Sequence, residues 1–154
     1  MTAPDPCEAG PMAPPKAQRC PCCGYASLLP AARAGRVLRY RNTALTLPAD
    51  LRLPACRRCK YEPLSPGAVP TELLETLYRA DLCHRAAVAI ARVQSYRSQR
   101  RLELLVHLSQ GYLSRLRAGD GVPGAPLVSL LALLAAHPQL IDELEDYWTL
   151  PPGA

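Results

Sequence analysis

Four of the seven cysteines in this 154-residue chain form two Cys-x-x-Cys pairs, Cys20/Cys23 and Cys56/Cys59. Two intervening residues let both sulfurs of a pair reach one ion at about 2.3 Å, and four thiolates arranged this way suit one tetrahedral Zn²⁺. Pro21 stiffens the first turn, and Gly24 can take a positive φ just after the second ligand. Arg57, Arg58 and Lys60 offset the net negative charge of a tetrathiolate. With all four positions filled by protein, the expected role is structural. Cys22 sits between the first two ligands and could replace either, although the two-residue spacing favours Cys20 and Cys23. A thioredoxin-like redox pair is disfavoured because no βαβ pattern surrounds either motif.

A second set of residues points to nucleic acid. From Ser98 to Gly119 the sequence reads as two short helices, 98–106 and 109–117, joined by a Leu108-Ser109 turn in which Ser109 is the expected N-cap. Leu102, Leu105, Val106, Leu113 and Leu116 fall on inward positions. That leaves Gln110, Gly111, Tyr112, Ser114, Arg115 and Arg117 toward solvent, residue types that read base edges or hold phosphates. Ser98 and Gln99 open the preceding helix, whose N–H groups favour a phosphate, and Ser109 joins them among the expected DNA contacts.

The remaining reactive side chains suggest no catalysis. His84, His107 and His137 read as packing or turn residues, Cys83 as a small buried residue on a helix, and Cys7 has no partner in sequence. There are no paired carboxylates in a plausible cleft and no phosphate-cradling glycine loop, so an enzyme is not expected.

The elements that position these groups follow from composition. Seventeen prolines and no phenylalanine place the main core in the leucine-rich second half. The expected class is α+β: a small N-terminal zinc ribbon built on a short antiparallel hairpin, then an all-α domain of about five helices. Residues 1–18 are expected to be disordered, 19–62 to form the zinc-binding domain, 63–70 a linker, and 71–150 the helix-turn-helix domain. Short strands are expected over 36–42 and 44–48, and a third over 51–54, with Pro48 and Pro54 at edges or ends. Thr71 begins a helical pattern that runs to Val93, with a break allowed; Pro126 opens a fourth helix over 127–136 and Pro138 a fifth over 139–147.

Net charge is +5, unevenly placed. Basic residues dominate 16–60 and 94–119, while Asp142, Glu143, Glu145 and Asp146 make the end acidic. Two basic zones suit a polyanion such as double-stranded DNA. Nothing in the sequence resembles a secretory signal or a membrane span, so a reducing cytoplasm is the expected compartment, where paired cysteines favour metal over disulfide.

Cys-Pro-x-Cys, a hairpin segment, a second Cys-x-x-Cys, a linker and an Xre-like helix-turn-helix occur in the order seen in MqsA-type (YgiT-type zinc finger) antitoxins, which residues 20–146 resemble. Leu130 to Leu144, around the His137-Pro138 turn, is similar to that family's C-terminal helices. Ser98-Gln99 and Leu113-Ser114-Arg115 are similar to its helix-turn-helix pattern. The resemblance implies a zinc domain able to bind a ribonuclease toxin, and a C-terminal domain that dimerises and represses a promoter through palindromic DNA. It puts Arg115 on a DNA-contacting position and Gly111 where the family can carry a base-reading asparagine. The chain is therefore expected to be a dimeric, zinc-stabilised transcriptional repressor, with an antitoxin role as the alternative. Leu140, Ile141, Leu144, Tyr147 and Trp148 form an apolar stripe at helical spacing, read either as a cap on the core or as a two-fold dimer contact.

Overall fold

The computed structural model describes residues 17–151, which fall into two compact units divided between Thr71 and Glu72. The described residues have an α+β layout, five short strands followed by five α-helices. Most of the segment expected to be disordered, and Cys7 with it, lies outside the described residues.

In the first unit, strands β1 (Gln18–Arg19), β2 (Ala26–Ala32) and β5 (Arg52–Cys56) form an antiparallel sheet in the order β1-β2-β5. Strands β3 (Val37–Tyr40) and β4 (Thr43–Thr46) form a separate hairpin. Arg41 and Asn42 link them, both at positive φ, as a two-residue type I′ connection requires. Leu38 and Leu45 face each other across the hairpin and both are buried.

The third expected strand, β5, pairs with β2, an element the sequence pattern did not announce. β2 reads Ala-Ser-Leu-Leu-Pro-Ala-Ala, with no β-branched residue and a proline in the middle. The ladder accepts it because Pro30 lies directly opposite Pro54. Facing residues in an antiparallel pair alternate between bonded and non-bonded sites, and two prolines can share only a non-bonded one. Gln18, expected to be disordered, pairs with Leu28. The expected linker is ordered as well, with a 3-10 turn at Pro66–Ala68 and a buried Val69. Arg36 is buried rather than part of a basic surface; its guanidinium bonds Glu62 and the Leu51 carbonyl.

The second unit is helical. Helix α1 (Thr71–Gln94) is continuous, without the break the sequence allowed. Its Leu82, Ala86, Ala89, Ile90 and Val93 recur at helical spacing and meet Leu102 and Leu105 of α2 (Gln99–Leu105) and Leu113 and Leu116 of α3 (Tyr112–Arg117). Val128, Leu131 and Leu134 of α4 (Ala125–Ala136) and Ile141 of α5 (Gln139–Thr149) complete the core. The Tyr96 hydroxyl donates to the Leu134 carbonyl. Cys83 is only half-buried. Among the described residues, no single helix is long and apolar enough to cross a membrane.

Candidate functional site

The four expected ligands converge. The Sγ atoms of Cys20, Cys23, Cys56 and Cys59 all lie within 4.8 Å of one another. Cys20 and Cys59 are 3.6 Å apart, and Cys23 and Cys56 3.7 Å. A tetrahedron with bonds of about 2.3 Å has edges of about 3.8 Å, so the cage is the right size for one tetrathiolate metal. Cys22 is exposed and stands outside the cluster, whereas Cys20 and Cys23, the pair with the two-residue spacing, lie within it.

Both halves of the cage are built alike. The Cys20 N–H donates to the Tyr25 carbonyl and the Gly24 N–H to the Cys20 carbonyl, each at 2.8 Å. In the second half the Cys56 N–H donates to the Tyr61 carbonyl at 2.8 Å and the Lys60 N–H to the Cys56 carbonyl at 3.1 Å. The residue after each second cysteine is left-handed: Gly24 at φ +73° and Lys60 at φ +63°. Glycine takes this conformation freely, whereas lysine adopts it at a cost. The shared pattern Cys-x-x-Cys-(Gly/Lys)-Tyr was present in the sequence as a signal of this symmetry.

Ser27 is a site residue that the spacing did not reveal. Its hydroxyl lies 2.9 Å from Cys56 Sγ and donates to the thiolate. That bond, then the Cys59 backbone N–H, brings the Cys56 pKa down to about 6. Cys59 has the Tyr61 backbone N–H to favour its thiolate, yet burial and the Cys56, Cys20 and Cys23 sulfurs push it up to about 12. Burial, then the neighbouring Cys56, also raises Cys23. Four sulfurs this close do not ionise together unless a cation lies among them, so proton release and metal capture are coupled.

The α2–α3 pair departs from expectation at its turn. Ser98 does cap α2, its hydroxyl accepting the Arg101 N–H at 3.3 Å. Ser109, however, does not cap α3, which begins three residues later behind Gly111 at φ +78°. Glu103 takes the capping role from α2. One carboxylate oxygen accepts the Gly111 N–H at 2.9 Å, and the other accepts the Leu113 N–H at 3.0 Å and the Gln99 amide at 3.0 Å. Burial alone would raise the Glu103 pKa, but these donors outweigh it and hold the carboxyl below its usual range. The signal in the sequence was a lone acid within a basic, leucine-rich stretch. His107 occupies the turn at φ +52°, as a turn residue.

Of the residues expected to contact DNA, Ser98, Ser109, Gln110, Ser114, Arg115 and Arg117 are exposed, while Gln99, Gly111 and Tyr112 are half-buried. Several are tied to one another. The Gln99 amide donates to Ser114 at 2.6 Å, Arg115 to Ser109 at 3.3 Å, and Arg117 to the Gln94 amide oxygen at 2.8 Å. The acidic tail neutralises part of this basic zone: Arg97 pairs with Asp142, and Arg101 makes a two-bond contact with Glu145.

The C-terminal stripe divides. Ile141 is 1% exposed and belongs to the core, and Leu140 and Leu144 pack against it, so these three act chiefly as the cap. Tyr147 and Trp148 remain 67% and 53% exposed, with Trp148 edge-on to His107 at 4.4 Å. No protein-family model matches this chain, and no curated protein matches it significantly.

Proposed function

We propose that this chain is a zinc-stabilised, sequence-specific DNA-binding transcriptional regulator that acts as a dimeric repressor. The observation that carries this reading is the surface of α3. Leu113 and Leu116 anchor the helix, while Gln110, Ser114, Arg115 and Arg117 point outward as a compact polar set with hydrogen-bonding capacity for bases and phosphates. The bonds to Gln99, Ser109 and Gln94 hold Ser114, Arg115 and Arg117 in place before any ligand arrives. Zinc is the metal best suited to four thiolates at these separations, and it would hold together a proline-rich unit with little core of its own. Cys20, Cys23, Cys56 and Cys59 would bind it, Ser27 would orient Cys56, and no position is left for substrate. Tyr147 and Trp148 are the side chains left to make a two-fold contact.

The antitoxin reading keeps the same DNA role and adds a toxin as partner of the metal unit; that unit's separateness favours it. Footprinting on the DNA upstream of the gene tests the main proposal. A protected, salt-sensitive site that Arg115→Ala abolishes is expected, and no protected site would refute it. A neighbouring toxic reading frame rescued by this chain would establish the second role.

A further inference from the structure

We infer that the metal unit carries a nucleic-acid backbone contact of its own, centred on Arg57, Arg58 and Lys60 and independent of the helical unit. Residues 17–71 hold nine basic side chains against two acids, Asp50 and Glu62. A Zn(Cys)₄ centre has a formal charge of −2, so the unit's surplus of seven falls only to five. Offsetting the metal therefore does not account for the basic residues.

Their placement sharpens the point. Glu62 is taken by Arg33 and Arg36, which leaves Arg57, Arg58 and Lys60 without an acidic partner among the described residues. All three are exposed on one turn, pinned to β2 by the Arg57 N–H to the Ser27 carbonyl at 3.1 Å. The Arg58 guanidinium stacks on the exposed Tyr25 ring at 3.5 Å, joining the two cysteine turns. Stacking leaves the edge N–H donors of that guanidinium free to take a phosphate in plane. Beside the turn, a groove of 310 Å³ is lined by apolar Leu29 and Ala55 together with Arg33, Arg57, Lys60 and Glu62, whose carboxylate is already held by Arg33 and Arg36.

The surface fits a phosphodiester backbone better than an acidic peptide. Eight of the nine cations are arginine, whose planar fork matches phosphate, and Tyr25 offers a flat partner for a sugar or base.

The test uses the zinc-loaded full chain, a 20-base-pair duplex of arbitrary sequence, and anisotropy titrations from 50 to 200 mM salt. The triple variant Arg57→Gln/Arg58→Gln/Lys60→Asn should keep four cysteines' worth of bound zinc, confirming the fold. Each lost phosphate contact removes about 0.9 from the log–log salt slope, so the slope should fall by about 2–3. The affinity ratio of wild type to variant should then be about 40-fold larger at 50 mM than at 200 mM. Arg58→Lys should leave the slope unchanged, since it keeps the charge. An unchanged slope in the triple variant overturns the inference. So does an equal loss in the variant Arg39→Gln/Arg41→Gln/Arg52→Gln, which removes three arginines of the same unit away from the cysteine turn; that result would mean diffuse charge rather than a patch. Preferential binding of a polyglutamate peptide of matched charge overturns it too. Arg115→Ala separates this inference from the proposed function: loss of the specific site there, with the salt-slope contribution of Arg57, Arg58 and Lys60 intact, concerns α3 alone.

Discussion

Glu103→Ala is the substitution whose outcome the structure constrains most tightly. Glu103 is 3% exposed, yet it faces two backbone N–H groups at the start of α3 and the Gln99 amide. Alanine would leave the Gly111 and Leu113 donors without an acceptor. Each unsatisfied buried donor costs about 1–3 kcal/mol, and some water entry would soften the sum, giving a loss of about 3 kcal/mol. That is about a hundredfold in the folding equilibrium, a large share of the about 5–15 kcal/mol that a small domain has. Glu103→Gln keeps one acceptor but turns an NH₂ toward the other donor, so about half that loss is expected. The pH dependence gives an independent check. Because the folded pKa lies below the unfolded value of about 4.3, the stabilisation is complete above that value and is lost as pH falls through the folded pKa. The gap between wild type and Glu103→Gln should therefore stay constant from pH 7 to about pH 5 and narrow below it. Urea unfolding followed by far-UV circular dichroism measures both quantities. A loss under about 0.5 kcal/mol for Glu103→Ala, or a gap that widens in acid, would refute the capping role.

Other outcomes follow from the same geometry. Ser27→Ala should weaken metal affinity about tenfold or more in competition with a chromogenic chelator, whereas Cys22→Ser should leave it unchanged. Lys60→Gly should stabilise the metal unit by about 1 kcal/mol and Gly24→Ala destabilise it by a similar amount, both read from metal-loaded thermal unfolding; the space around Gly24 is open, so the effect there is backbone strain alone. Ile141→Ala should cost about 3 kcal/mol of helical-unit stability, while Trp148→Ala should leave stability nearly intact and lower the dimer fraction in sedimentation.

The metal ligands were legible because their geometry is local: two residues between cysteines bring both sulfurs to one side of a turn. The helices were legible because small and branched apolar residues at 82–93 and leucines at 127–134 repeat with helical spacing. What was missed depends on distant partners. β2 has neither alternation nor β-branched residues, and only the facing Pro54 explains how Pro30 fits a ladder. Ser109 has the right chemistry for a cap, but a buried carboxylate from the previous helix reaches the same N–H groups first. Arg36 looked like surface charge until Glu62, 26 residues later, enclosed it. A stripe such as Leu140 to Trp148 has one spacing whether it faces a core or a partner; burial assigns Ile141 to the core and leaves Tyr147 and Trp148 outside.

If α3 reads DNA, selection from a random duplex pool by the zinc-loaded chain should enrich one two-fold-symmetric motif, with half-sites about one helical turn apart, bound less tightly as salt rises and lost in Arg115→Ala. Recovery of no motif, or the same motif at the same affinity from Arg115→Ala, would contradict that role of α3.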